Sequence, residues 1–232
     1  METWITLLYS AFLARVLTKA ILLLSGGIDS AAALYLTKQS IETIYSINII
    51  YGEAYDAEVV AAKRIAAAAQ VKEHLTILLP FFNDIEQRYH PAPSENVTPA
   101  YIPARNIVFY GIAAAYAETL GASIIVFGSN ADDAKELPDA RDDFIQLMNE
   151  LILRGTRAGT EGSMIQVVNP LINRTKAEAL RLAIELKVPL ELTWSCYQNG
   201  ETPCGNCRGC VGRRKAFQEV GVSDPLLSSG RQ

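Results

Sequence analysis

Five short apolar runs rich in β-branched residues, at 20–24, 43–50, 75–79, 123–127 and 166–168, alternate with stretches of helical spacing at 31–38, 56–69, 105–120, 143–153 and 175–185. That alternation constrains the fold more than any other feature. Strands separated by helices are too far apart in the chain for tight hairpins, so each crosses over through a helix and lies parallel to its neighbours. Apolar runs of this kind need cover on both faces. The expected fold class is therefore α/β, a doubly wound parallel sheet, with ligands at the carboxyl ends of the strands.

The chain of 232 residues is 50% hydrophobic and 20% charged, an ordinary globular balance that excludes a disordered or collagen-like chain. The strand–helix pattern bounds a domain at 19–189, preceded by an extra segment at 1–18 and followed by a Cys- and Gly-rich appendage at 190–232. A net charge of −4 and a pI near 5.3 argue against the broad basic surface that nucleic acid requires. Arg208, Arg213, Arg214 and Lys215 read as the solvated start of a short helix at 213–220. The apolar stretch 4–24 is interrupted by Arg15 and Lys19 and has Glu2 where a basic leader would be needed, so neither a signal nor a membrane span is expected. An amphipathic segment at 3–18, packed on a cytoplasmic protein, is the expectation. Residues 80–103 hold five of the ten prolines and read as a long loop able to act as a lid. His74 and His90 read as surface or loop residues.

The first strand runs into Ser25-Gly26-Gly27-Ile28-Asp29-Ser30, and a helix begins directly afterwards. Paired glycines let backbone N–H groups approach an anion, the helix N-terminus favours negative charge, and the two serine hydroxyls add donors. Neither the G-x-G-x-x-G nor the G-x-x-x-x-G-K-[ST] pattern is present. An aspartate inside a phosphate loop repels its ligand unless it holds a cation, so Asp29 points to Mg²⁺.

All four cysteines lie in one window, Cys196-x7-Cys204-x2-Cys207-x2-Cys210. This spacing matches a closed tetrahedral Zn²⁺ site, a structural knuckle with no open position for water. An iron–sulfur cluster is the alternative that the C-x2-C-x2-C run leaves open.

The S-G-G-x-D-S loop after the first strand resembles the pyrophosphate loop (PP-loop) of the ATP pyrophosphatase superfamily, of adenine-nucleotide α-hydrolase fold. Further segments carry a narrower resemblance: Tyr101-Ile102-Pro103-Ala104-Arg105-Asn106, Gly128-Ser129-Asn130-Ala131-Asp132-Asp133, Thr175-Lys176-Ala177-Glu178 and Leu192-Thr193-Trp194-Ser195-Cys196-Tyr197. Together they resemble the 7-cyano-7-deazaguanine synthase family of the queuosine and archaeosine pathways, over most of residues 20–226.

The resemblance implies a ligase that uses ATP to adenylate a 7-carboxy-7-deazaguanine, lets ammonia displace AMP to give the amide, and dehydrates the amide with a second ATP. It assigns ATP to Leu24, Ser25, Gly26, Gly27, Asp29, Ser30 and Gly128, and catalysis to Asp29, Lys176 and Arg105. Asp133, Asp139 and Asp143 are candidates for pairing with the N–H edge of the ring, since a carboxylate only accepts. It also implies a homodimer. The sequence departs from the family at Glu53 and Ala54, at Glu136-Leu137-Pro138-Asp139-Ala140-Arg141 and at Arg208-Gly209. These departures bear on the substrate or the accepting amine and not on adenylation, and they keep open a deazaguanine–protein amide ligase of anti-phage systems; a non-catalytic nucleotide-binding or zinc-knuckle module is a separate alternative, against which Asp29 and Lys176 speak.

Overall fold

The computed structural model describes residues 18–51, 56–92, 97–98 and 101–228. The amphipathic segment expected before residue 18, together with Glu53, Ala54 and part of the 80–103 loop, lies outside the described residues.

The elements alternate as the apolar runs require: β1 (Lys19–Leu23), α1 (Ile28–Thr37), β2 (Thr43–Ile50), α2 (Asp56–Ala68), β3 (Glu73–Leu78), α3 (Phe81–Arg88), α4 (Arg105–Leu120), β4 (Ile124–Val126), α5 (Ala131–Glu136), α6 (Asp142–Gly155), α7 (Arg157–Thr160), β5 (Gln166–Val168), α8 (Lys176–Glu185), α9 (Arg208–Val220) and α10 (Pro225–Ser228). The strands form one parallel sheet in the order β3-β2-β1-β4-β5. Because β1 has β2 on one side and β4 on the other, chain direction across the sheet reverses beside β1. A crevice opens at such a reversal, at the carboxyl ends of the strands.

Alternation along β1 divides the core in two. Ala20 and Leu22 face a cluster with Ile28, Leu34, Ile65, Leu180 and Phe217, whereas Ile21 and Leu23 face Tyr110, Ala113, Ile145 and Met148. The period of two sends successive side chains to opposite faces, and small alanines let the helices pack closely. Ala216 and Phe217 of α9 belong to the first cluster, so the C-terminal helix shares the core of the sheet domain.

Three expectations need correction. Residues 80–103 are not loop throughout: Pro80 leads into α3, whose Phe82 is fully buried against Tyr51 and Phe109. Proline is tolerated at a helix start, and one buried aromatic anchors the turn. Nor is the basic cluster simply solvated. The helix starts earlier, at Arg208, and Arg213 is buried in an ion pair with Asp224. His74 likewise stands in β3, 2.8 Å from Ser46 Oγ through Nδ1.

Candidate active site

Gly26 adopts φ +91°, and a Cβ there would stand 2.7 Å from the Glu58 carbonyl oxygen and 2.9 Å from Ala62 N. Only glycine accommodates both the left-handed backbone and the approach of α2. The chain turns there from β1 into α1, whose N-cap is Gly27, with no side chain capping the first N–H groups. Those donors and the helix dipole remain available to an anion. Ser25 Oγ and Ser30 Oγ lie 3.1 Å apart, and Gly27 N donates to Ser25 Oγ over 3.3 Å. Leu24, Ser25, Gly27, Asp29, Ser30 and Gly128 line a cleft of about 430 Å³, while Gly26 supports it from behind. At Gly128 a Cβ would come within 2.9 Å of the Asp29 carbonyl oxygen, so the end of β4 also needs a bare backbone to close on the loop.

Asp29 contacts Lys176 Nζ through Oδ2 and accepts from Asn130 Nδ2 over 3.3 Å; its Oδ1 is buried without a hydrogen-bond partner. Lys176 begins α8 behind a Thr175–Glu178 capping box, and its backbone N–H donates to Asp132 Oδ2 over 3.0 Å. Burial works to lower the Lys176 amine, but the Asp29 and Asp133 carboxylates outweigh it and hold the amine above its usual range. Burial, reinforced by the Asp29 charge, pushes Asp133 up; one of its oxygens accepts from Asn130 N at 3.1 Å. Asn130 is fully buried and caps α5, which fixes these acids beside the phosphate loop. A lysine with a free oxygen of Asp29 beside it forms a charge-balanced corner at an open helix N-terminus.

Arg105, at the start of α4, lines the cleft, donates to Tyr51 Oη over 3.2 Å and lies over the Tyr51 ring at 5.2 Å. Asp139 is buried behind it, outside the lining; it accepts from Asn106 N at 3.3 Å, and its charge acts on Arg105. Its position orients the start of α4 and does not present it to a ring in the cleft. Asp143 is also outside: it is exposed at the first turn of α6 and accepts from Phe144 N over 2.9 Å, as a helix-start acid does. Of the three acids expected to read a ring, Asp133 alone lines the cleft.

The four cysteine sulfurs lie within 4.8 Å of one another, with Cys204–Cys210 and Cys196–Cys207 each at 3.9 Å. Thiolates ~2.3 Å from a tetrahedral metal stand about 3.8 Å apart, whereas a disulfide would need ~2.05 Å. Backbone N–H groups point at the sulfurs: Gln198 N and Cys204 N at Cys196 (both 3.3 Å), Cys207 N at Cys204 (3.4 Å) and Cys210 N at Cys207 (3.5 Å). Donors from Asn206 and Cys207 pull the Cys204 thiol down to about 6, favouring the thiolate that binds metals, while burial raises Cys210 to about 12. The donor set and its spacing fit a metal ion. Trp194 N donates to Gly26 O over 2.9 Å, and Cys196, Tyr197, Arg208 and Gly209 line the cleft, so the knuckle forms one wall of the site.

Several lining residues escaped sequence reasoning. Asn48 is buried in β2 with Nδ2 on Leu24 O at 3.0 Å and Oδ1 unpartnered; its polar place inside an apolar strand was the available signal. Glu58 lines the cleft from the first turn of α2, where an acid reads as an ordinary helix-start residue. Arg208 reaches Thr98 Oγ1 and Glu136 Oε2, contacts that no local pattern announces.

Residues 19–221 match the family model described as "Queuosine biosynthesis protein QueC". A 7-cyano-7-deazaguanine synthase of Trichodesmium erythraeum is 42% identical over 226 residues, covering 90% of this chain and 100% of the relative. One from Nostoc sp. is 40% identical over 220 residues, covering 90% and 96%. Among solved structures, an NH3-dependent NAD synthetase from Campylobacter jejuni is similar at a TM-score of 0.48 and 17% identity, covering 79% of this chain and 70% of that one. Among the described residues, no helix is long and apolar enough to cross a membrane.

Proposed function

We propose, from the premise that this chain belongs to the QueC family of queuosine biosynthesis proteins, that it converts 7-carboxy-7-deazaguanine and ammonia to 7-cyano-7-deazaguanine with ATP. The observation that carries the proposal is the corner formed by the phosphate-loop glycines, Asp29 and Lys176 inside the cleft. A carboxylate is a poor electrophile because its leaving group would be oxide; as an acyl adenylate it expels AMP. The chain's own residues are suited to that activation. Ser25, Ser30 and the uncapped N–H groups of α1 hold phosphate oxygens. Lys176 neutralises charge that builds on departing pyrophosphate, and Arg105 neutralises the substrate carboxylate or the α-phosphate. Asp133 accepts from the amino edge of the ring, and Asn48 Oδ1 offers a second buried acceptor.

Asp29 Oδ1, buried and unpartnered among the described residues, fits Mg²⁺, and the nearby Asp133 carboxylate adds to the negative charge there. Held there, Mg²⁺ would offset the negative charge of the phosphates. Cys196, Cys204, Cys207 and Cys210 would hold Zn²⁺, whose contribution is to keep the Ser195–Gly209 wall in place. We assign the protein to a reducing cytoplasm, which four thiols suit, and to a homodimer.

The reading is tested by mass spectrometry after incubation with ATP, Mg²⁺, carboxydeazaguanine and ammonium. Free nitrile with AMP and pyrophosphate is expected. Formation of the amide alone, or transfer of the deazaguanine mass to a partner protein without free nitrile, refutes it.

A further inference from the structure

Of the acids in the cleft wall, Glu58 and Glu86 have no use in the reading above, and Glu86 is exposed on α3 whereas Glu58 is half-buried beside the phosphate loop. It sits on the first turn of α2, and its carbonyl oxygen is the atom nearest a Cβ built on Gly26, so its backbone is pinned against the phosphate loop. Its side chain lines the cleft with Arg105 and Asp29. Among the described residues no hydrogen bond or ion pair fixes its carboxylate, although the Arg105 guanidinium is near enough for its charge to act on it, and the group can exchange a proton with something in the cleft.

We propose that Glu58 is the catalytic base that takes a proton from the attacking amine, a role that rests on the acyl-adenylate reading of the cleft. Ammonia reaches the protein chiefly as ammonium, which has no lone pair to attack with. The Glu58 carboxylate accepts one proton from ammonium, and the ammonia so formed bonds to the acyl carbon. The C–O bond to AMP breaks, AMP leaves with the electron pair, and the nitrogen loses a second proton to solvent, giving the neutral amide. In the dehydration step the amide oxygen attacks the α-phosphate of a second ATP and pyrophosphate leaves; one N–H proton goes to solvent, the Glu58 carboxylate, its first proton returned to solvent, takes the other, and the carbon–oxygen bond breaks so that AMP leaves with the former amide oxygen and the electron pair, giving the nitrile.

The surroundings suit a base working near neutrality. Burial raises the Glu58 carboxyl to about 7, with the Arg105 guanidinium opposing that rise. Besides Arg105, the titratable groups in the cleft wall are Tyr51 after β2, Glu86 of α3, Cys196 and Tyr197 of the knuckle, Arg208 at the start of α9, and Asp29, Asp133 and Lys176. A base is most effective when its pKa lies near the working pH, because it is then both ionised and strong enough to accept. A carboxyl with its ordinary value would be a much weaker proton acceptor.

The test compares wild type with Glu58→Gln in two measurements on the full chain. Carboxydeazaguanine-dependent pyrophosphate–ATP exchange without amine reports adenylation alone. Product formation at limiting nucleophile is then measured with ammonium and with hydroxylamine, which is already uncharged at neutral pH. Glu58→Gln should keep exchange within a few-fold, lose on the order of 10²–10⁴-fold with ammonium and lose only a few-fold with hydroxylamine. Its ammonium profile should also lack the limb near pH 7. Near-normal use of ammonium by Glu58→Gln overturns the proposal, as does an equal loss with both nucleophiles. Should the glutamine variant fail to fold, Glu58→Asp decides: a displaced pH limb supports the base, and an unmoved one overturns it. Wild type that shows no carboxylate-dependent exchange refutes the adenylation reading and this one with it, whereas failure confined to the ammonium comparison leaves adenylation standing.

Discussion

Replacing Arg213 by alanine tests how the C-terminal helix is held to the domain. The guanidinium donates to Asp224 through Nε (2.6 Å) and Nη2 (2.8 Å), to Thr193 Oγ1 (2.7 Å) and Thr193 O (3.3 Å) through Nη1, and to Leu190 O (3.1 Å) through Nη2. The two side chains are only 5% and 7% exposed. Truncating Arg213 therefore removes the opposite charge from buried Asp224 and a donor from Thr193 O, while Leu190 O keeps Thr193 Oγ1 and N; a broken buried pair of this kind costs ~3–5 kcal/mol. For a chain of this size, at ~2–4 °C per kcal/mol, the melting temperature should fall by roughly 6–20 °C. Circular dichroism melts of Arg213→Ala read this directly. The double variant Arg213→Met with Asp224→Leu should recover much of the loss, because removing both charges leaves no buried charge uncompensated. A fall of less than about 2 °C in Arg213→Ala, or a double variant no better than the single, refutes the reasoning.

Asp29→Ala should lower pyrophosphate release on the order of 10²-fold or more while melting close to wild type, since its proposed work is charge placement; near-normal turnover would reject it. Cys207→Ser should lose about one metal equivalent by emission spectrometry and melt earlier, because metal binding by such a site is folding free energy; full retention of zinc would reject the cluster as its site. Glu58 also predicts a stability profile. Its folded value of about 7 lies above the ordinary 4.5, so its contribution is fully present below about 4.5 and is lost as pH rises through 7. Glu58→Gln should thus gain on wild type in denaturant melts at pH 8 and match it near pH 4.5, and a gap that does not change with pH would contradict the burial.

The parts legible in the sequence are those written locally. Strand and helix alternate in the apolar pattern, and the phosphate loop announces itself because glycines and serines sit between a strand and a helix. The cysteine cluster shows because its four ligands fall in one window. What escaped depends on contacts distant in sequence. Arg213 looks like a solvated cation beside Arg214 and Lys215, and only the arrival of Asp224 and the turn at Leu190–Leu192 buries it. Glu58 looks like a helix-start acid until packing against the phosphate loop places it in the cleft. Asp139 and Asp143 differ little as sequence, yet one is buried behind Arg105 and the other faces solvent.

The hydrogen bond from Trp194 N to Gly26 O sets an order of events in the making of the protein. Residues 26 and 194 meet there, so a nascent polypeptide that has completed β1 to β5 has the strands of its sheet but lacks one wall of the cleft. Gly209, whose Cβ would fall 1.8 Å from Ser195 O, is emitted later still. On the proposed reading, a chain that stops short of this segment lacks that wall and with it the closed site for activating a carboxylate.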